Sequence, residues 1–157
     1  MTSNSGTKET EEDVQRKMTA LRFCAAAWDE RIEVLDRGNE RVYHVDFMSF
    51  GADGNLSKIG EFKGRKNTST LYPTLMISLS KIERGAALSR VTHRPFYIVA
   101  SFTDGKTLFH VYDTDYWYKT AWGGNRRGRQ GEQDEPILHI PMSMFQEFVM
   151  PLKVPGV

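Results

Sequence analysis

Cysteine is almost absent. Cys24 is the single one in 157 residues, so the chain can form neither an intramolecular disulfide nor a cysteine-built zinc site. It falls within an apolar helical pattern, which reads as a buried structural thiol in a reducing compartment. Equally missing is any apolar run near the roughly 18 residues that a membrane-spanning helix needs. The opening MTSNSGTKETEED is polar and acidic where a signal peptide is basic and then apolar, so a soluble, cytoplasmic protein is expected. Nor is there a surplus of one charge. The 21 Lys and Arg against 20 Asp and Glu leave +1, which excludes a globally basic nucleic-acid wrapper and a strongly acidic mimic, and any electrostatic site must be local. No internal repeat or low-complexity block occurs. With 39% hydrophobic residues and a length that removes roughly 70% of its unfolded surface from water, the chain needs neither crosslink nor metal to hold a core.

Residues 1–9 contain no apolar side chain beyond the initial Met1 and read as a flexible tail, leaving 10–157 as one domain. From Glu11 on, Val14, Met18, Leu21, Ala25 and Trp28 recur at steps of four and three, predicting a helix of about 18 residues. The period then becomes two, in RIEVLD and again in RVYHVDFMSF, with a turn at Gly38-Asn39. Asp53-Gly54 turns the second of these into LSKIGEFKGR as a central hairpin. KGRKNTSTLYPT has no period and reads as a loop. Ser80 and Glu83 have the spacing of a capping box, predicting a helix to about His93, where Arg94-Pro95 ends it. FYIVASF and TLFHVYD form a second hairpin about Asp104-Gly105. Residues 116–136 are expected to be a long functional loop, ILHIP a last strand and SMFQEFVM a short terminal helix. The order is that of a mixed α/β (α+β) domain around a central sheet.

The register of the central hairpin carries the chemistry. With Asp53 and Gly54 as the two loop residues, every later pair of positions sums to 107, which sets Asp46 opposite Glu61. Opposed side chains lie about 5 Å apart, where two like charges repel unless a cation sits between them. Lys63 points to the same face by strand alternation, so Asp46, Glu61 and Lys63 converge. Two carboxylates without cysteine or a suitable histidine pair suit a hard cation, Mg²⁺ or Mn²⁺, that keeps waters for a phosphate substrate. Such a cation polarises a phosphate oxygen and acidifies a bound water, while the Lys63 ammonium orients that water or stabilises charge developing at phosphorus. Phosphodiester hydrolysis is the expected reaction.

Lys58, Lys63, Arg65 and Lys66 form a basic patch opposed only by Glu61. Arg126, Arg127 and Arg129 lie among glycines near Trp122, a combination suited to phosphate and base contact, although Glu132, Asp134 and Glu135 offset it. Asp53 is explained by its turn, and Asp113 and Asp115 read as a turn before a metal site. His44 would face Lys63. The other histidines, at 93, 110 and 139, have no ligand spacing.

An Asp on one strand of a hairpin, then Glu-x-Lys on the next, resembles the PD-(D/E)XK nuclease superfamily; here these are Asp46 and Glu61-Phe62-Lys63, with Val45 in place of the motif proline. The resemblance implies a restriction-endonuclease-like αβββαβ core over residues 11–115, a central mixed sheet flanked by helices, and a C-terminal extension over 116–157. It also implies Glu11, followed by Val14 and Met18, as a third acidic metal ligand. EFKGRKNTSTLYPTLMISLSK is similar to phage and bacterial members, which makes Lys81 the basic residue of the second helix that faces the site. The implied function is metal-dependent hydrolysis of DNA, in a cell or phage-infected host, with a homodimer as one arrangement for cutting two strands. The competing reading keeps the fold as a nucleic-acid-binding or virion-associated structural module.

Overall fold

Thr10 opens helix α1 (Glu11–Trp28): its hydroxyl accepts the Asp13 N–H, and the Asp13 carboxylate accepts the Thr10 N–H in return, each at 3.1 Å. Both bonds satisfy amides that a helix start leaves open. The computed structural model describes residues 10–35, 45–123 and 135–149. In it α1 is followed by β1 (Arg31–Val34), β2 (Phe47–Phe50), β3 (Leu56–Gly64), β4 (Thr74–Ser78), α2 (Leu79–Thr92), β5 (Phe96–Ser101), β6 (Thr107–Val111), β7 (Lys119–Gly123), β8 (Glu135–Pro141), a 3-10 turn (Met142–Met144) and β9 (Gln146–Glu147).

The strands form a six-stranded mixed sheet, ordered β1-β2-β3-β5-β6-β9, and a three-stranded sheet, ordered β4-β8-β7. Only β3 and β5 are parallel, joined through β4 and α2. The αβββαβ order expected from the sequence is present, with β4 inserted before the second helix. On one face of the large sheet, α1 buries Ala20, Leu21 and Cys24 against Phe47, Phe62 and Val99. On the other face, Ile82 of α2 and Leu75, Ile77, Leu138 and Ile140 of the small sheet pack on Ile59, Phe96, Ile98 and Ala100. Two glycines permit close approach: a Cβ on Gly60 would lie 1.9 Å from the Phe47 ring, and one on Gly85 would lie 2.2 Å from the Phe96 ring. Phe47 therefore lies flat on β3, and α2 lies flat on β5.

Several elements differ from expectation. The buried line of α1 is Lys17, Ala20, Leu21 and Cys24 rather than the stripe through Met18 and Ala25, because the aromatic cluster around Trp28 and Phe148 draws the helix round. Helix α2 starts two residues earlier, with Ser78 as its cap residue in place of Ser80, since TLMIS is a strand paired to β8 that runs straight into the helix. The segment expected to be a terminal helix is instead a 3-10 turn followed by β9, whose residues Gln146 and Glu147 pair with Phe109 and Leu108. Of the long loop expected over 116–136, residues 119–123 form β7 and residues 135 and 136 open β8, while 124–134 lie outside the described residues. The turn expected at Gly38-Asn39 lies outside the described residues.

Candidate active site

The hairpin turn holds three residues, not two. Gly51 donates to the Asn55 carbonyl, Gly54 is left-handed at φ 80°, and Phe50 pairs with Leu56. A bulge at Ser57 then restores the count, so Ser49 pairs with Lys58 and Phe47 with Gly60, as the expected register requires. Asp46, one residue beyond Phe47, donates its N–H to the Gly60 carbonyl at 3.0 Å. Its Oδ2 accepts the Phe62 N–H at 2.8 Å. Asp46 is thereby fixed against Glu61.

Glu61 is 2% exposed, and Asp46 8%. Two carboxylates are thus nearly stripped of water beside each other. Burial, and then the Glu61 charge, push the Asp46 carboxyl up to about 7. Against Glu61 Oε1 stand Lys81 Nζ at 3.2 Å and Lys63 Nζ at 3.8 Å. That oxygen is enclosed yet accepts no hydrogen bond. Lys63 is drawn down to about 8 by burial and by the neighbouring Lys81 charge. Lys81 is held up at about 12: burial opposes its charge most, but Glu61, Lys63 and Asp46 together outweigh it.

The structure thus brings together Asp46, Glu61, Lys63 and Lys81. Helix α1 adds a cation that the sequence reading missed. Lys17 is 2% exposed, and its charge eases the ionisation of Asp46. Lys17 falls on the line of Leu21 and Cys24, a charge at a buried helical position that only the rotation of α1 reveals. Glu11 is not brought to the pair. It stands exposed in the first turn with Glu12 and Asp13, six residues and so about 9 Å of helix rise before Lys17, where acids complement the helix dipole.

Lys58 lies on the opposite face of β3, bonded to Glu30 at 2.6 Å. The Arg65 guanidinium donates to the Met76 carbonyl on β4, and exposed Lys66 sits near Asp13 at the start of α1. Asp53 accepts from the Asn55 N–H, and Asp113 from the Asp115 N–H, both as turn residues. His44, Arg126, Arg127 and Arg129 lie outside the described residues.

Among the described residues no group of three or more His, Cys, Asp or Glu side chains gathers to hold a metal. The donors on offer are two buried carboxylates, one with an oxygen lacking any hydrogen bond. This set fits a hard divalent cation that retains waters, and it does not fit a zinc cage built wholly from protein.

Both the fold and the sequence have counterparts among known proteins. Among solved structures similar to the chain is Hjc, a Holliday junction resolvase from the archaeal hyperthermophile Archaeoglobus fulgidus, with a TM-score of 0.50 and 12% identity over 81% of this chain and 87% of that one. At that identity the likeness is one of fold. No curated protein matches the sequence. A family model described as "Phage putative PDDEXK endonuclease" matches residues 3–148. Nearly the whole chain is covered, including Asp46 and Glu61-Phe62-Lys63, and the protein belongs to this phage PDDEXK endonuclease family.

Proposed function

We propose that this endonuclease hydrolyses phosphodiester bonds of DNA with a divalent cation, Mg²⁺ or Mn²⁺, held by Asp46 and Glu61. The carrying observation is the buried, opposed carboxylate pair, whose enclosed Glu61 Oε1 is met by the Lys81 and Lys63 ammoniums as ion pairs. Such a pair is costly to fold. A module that only binds nucleic acid has no use for it, which favours the enzyme over the structural reading. The cation, when bound, supplies polarisation of a phosphate oxygen and acidification of water. The Phe62 amide keeps the Asp46 carboxylate turned toward Glu61. Lys63, two residues beyond Glu61, directs its ammonium at the same place and stabilises charge developing on the phosphoryl oxygens. Lys81 neutralises Glu61 from α2 and offers a second ammonium to the backbone of the substrate.

DNA as the substrate is supported by the junction resolvase that shares the fold, and phosphate contacts are assigned to Arg65, Lys66 and Lys81. No helix of the described residues is long and apolar enough to cross a membrane, which accords with action on DNA in the cytoplasm of a bacterial or phage-infected cell. We read residues 10–157 as one nuclease domain acting as a homodimer where both strands are cut. Purified protein incubated with plasmid, single-stranded and branched DNA is expected to cut with Mg²⁺ or Mn²⁺ and to be silent in EDTA. Equal inertness of the wild type and Lys63→Ala on every substrate would return the protein to the binding-module reading.

A further inference from the structure

Two tryptophans are left almost bare: Trp117 is 95% exposed and Trp122 73%. A side chain that could bury on the order of 200 Å² and does not is waiting for a partner or has none. The topology separates the two. Trp122 pairs across β7 and β8 with Pro136, and Gly123 with Glu135. On the other side of β8, Ile137 pairs with Ser78, whose hydroxyl donates to Glu135 at 3.2 Å. Ser78 is the cap residue of α2, and three residues later Lys81 reaches Glu61. Trp122 therefore stands about two strand spacings, roughly 10 Å, from the chain that delivers Lys81 to the carboxylates. Trp117 is at the other end. Its neighbour Tyr118 stacks on Tyr112 and bonds His110, and Tyr112 donates to Phe96 at the start of β5. Lys63 pairs with Ala100, four residues further along that strand, so about 13 Å of β5 lies between.

We propose that Trp122 is a stacking platform for an unpaired base next to the cleaved phosphate, so that DNA with a single-stranded nucleotide at the cut is preferred over continuous duplex. This rests on the function proposed above. A base inside a duplex already has both faces covered, so an indole beside the backbone track gains contact only from a base that has left the stack. The ammoniums of Lys63 and Lys81 supply the charge complementarity that brings the phosphates past it.

The test compares kcat/KM with Mg²⁺ on a forked DNA and on a continuous duplex of the same length, for wild type, Trp122→Ala, Trp122→Phe and Trp117→Ala. The fork-over-duplex ratio is expected to fall about 10- to 100-fold in Trp122→Ala, the range of one stacked base, to be largely kept in Trp122→Phe, and to be unmoved in Trp117→Ala. An unchanged ratio in Trp122→Ala, or a loss in Trp122→Phe as large as that in alanine, overturns the platform while leaving the nuclease intact. A shift in oligomeric state with Trp122→Ala would likewise overturn it, assigning the indole to a contact between copies. Wild-type protein that cuts neither substrate takes down the nuclease reading and this one with it.

Discussion

Strand β3 carries two lysine–carboxylate clusters five residues apart and on opposite faces, and they are solved in opposite ways. On the α1 face, Lys58 and Glu30 meet at 2.6 Å. Glu30 also accepts from Ser49 at 2.8 Å, and the Lys58 ammonium rests 4.8 Å from the Trp28 ring centre and 5.6 Å from that of Tyr97. Burial would raise the Glu30 carboxyl, but its bonds from Lys58, Ser57 and Ser49 hold it below the ordinary value. Glu30 Oε1 thus accepts from both a lysine and a serine. On the α2 face the same residue types are less fully bonded: Glu61 Oε1 is met only by the Lys81 and Lys63 ammoniums as ion pairs, and Asp46, beside it, is pushed up to about 7. A complete set of bonds makes a brace, and an incomplete one is available to a ligand.

The comparison breaks most sharply on activity. Glu61→Ala and Lys63→Ala are expected to lose roughly 100- to 1,000-fold or more in cleavage rate, whereas Glu30→Gln stays within about threefold of wild type, all read on one DNA substrate. Stability should run the other way. Lys58→Ala leaves a largely buried carboxylate without its cation and is expected to cost about 1–2 kcal/mol, a fall of several degrees in Tm, seen by calorimetry.

The pH dependence separates the clusters by sign. Asp46 has its carboxyl raised by burial, so between about pH 4 and 7 the folded state binds the extra proton, and this residue's contribution to stability falls as pH rises through that window. Metal-free Asp46→Asn is therefore expected to exceed wild type in Tm by a few degrees at pH 8, the gap closing toward pH 5. Glu30 is depressed, so its contribution is present above the ordinary glutamate range and lost as pH falls through the folded value. Glu30→Gln should be less stable than wild type at pH 7 and approach it in acid. The smallest effect belongs to Glu11→Gln: activity within about twofold and a few tenths of a kcal/mol in stability, the value of a helix-dipole contact, read by cleavage rate and Tm.

Much of the site was legible because it is local. Strand alternation and a turn signal brought Asp46, Glu61 and Lys63 to one face, and the register survived a wrong loop length because the bulge at Ser57 repaid the extra turn residue. The same alternation separates Lys58 from Lys63, so grouping them in one basic patch overlooked parity already in the sequence. Lys17 was hidden for another reason: a lysine in a helical pattern reads as solvated until the packing of Leu21 and Cys24 sets the rotation of α1. The small sheet was least visible. Strand β8 finds β4 across some sixty residues and β7 across twelve to twenty, and no local period reports such pairing.

Manganese binding, followed by calorimetry at pH 8 without DNA, bears most directly on the difference between the two faces of β3. Wild type and Glu30→Gln are expected to bind Mn²⁺ alike, while Asp46→Asn and Glu61→Gln lose it. Undiminished binding by the latter two, with all four proteins folded, would contradict the assignment of the Asp46–Glu61 pair as the metal site.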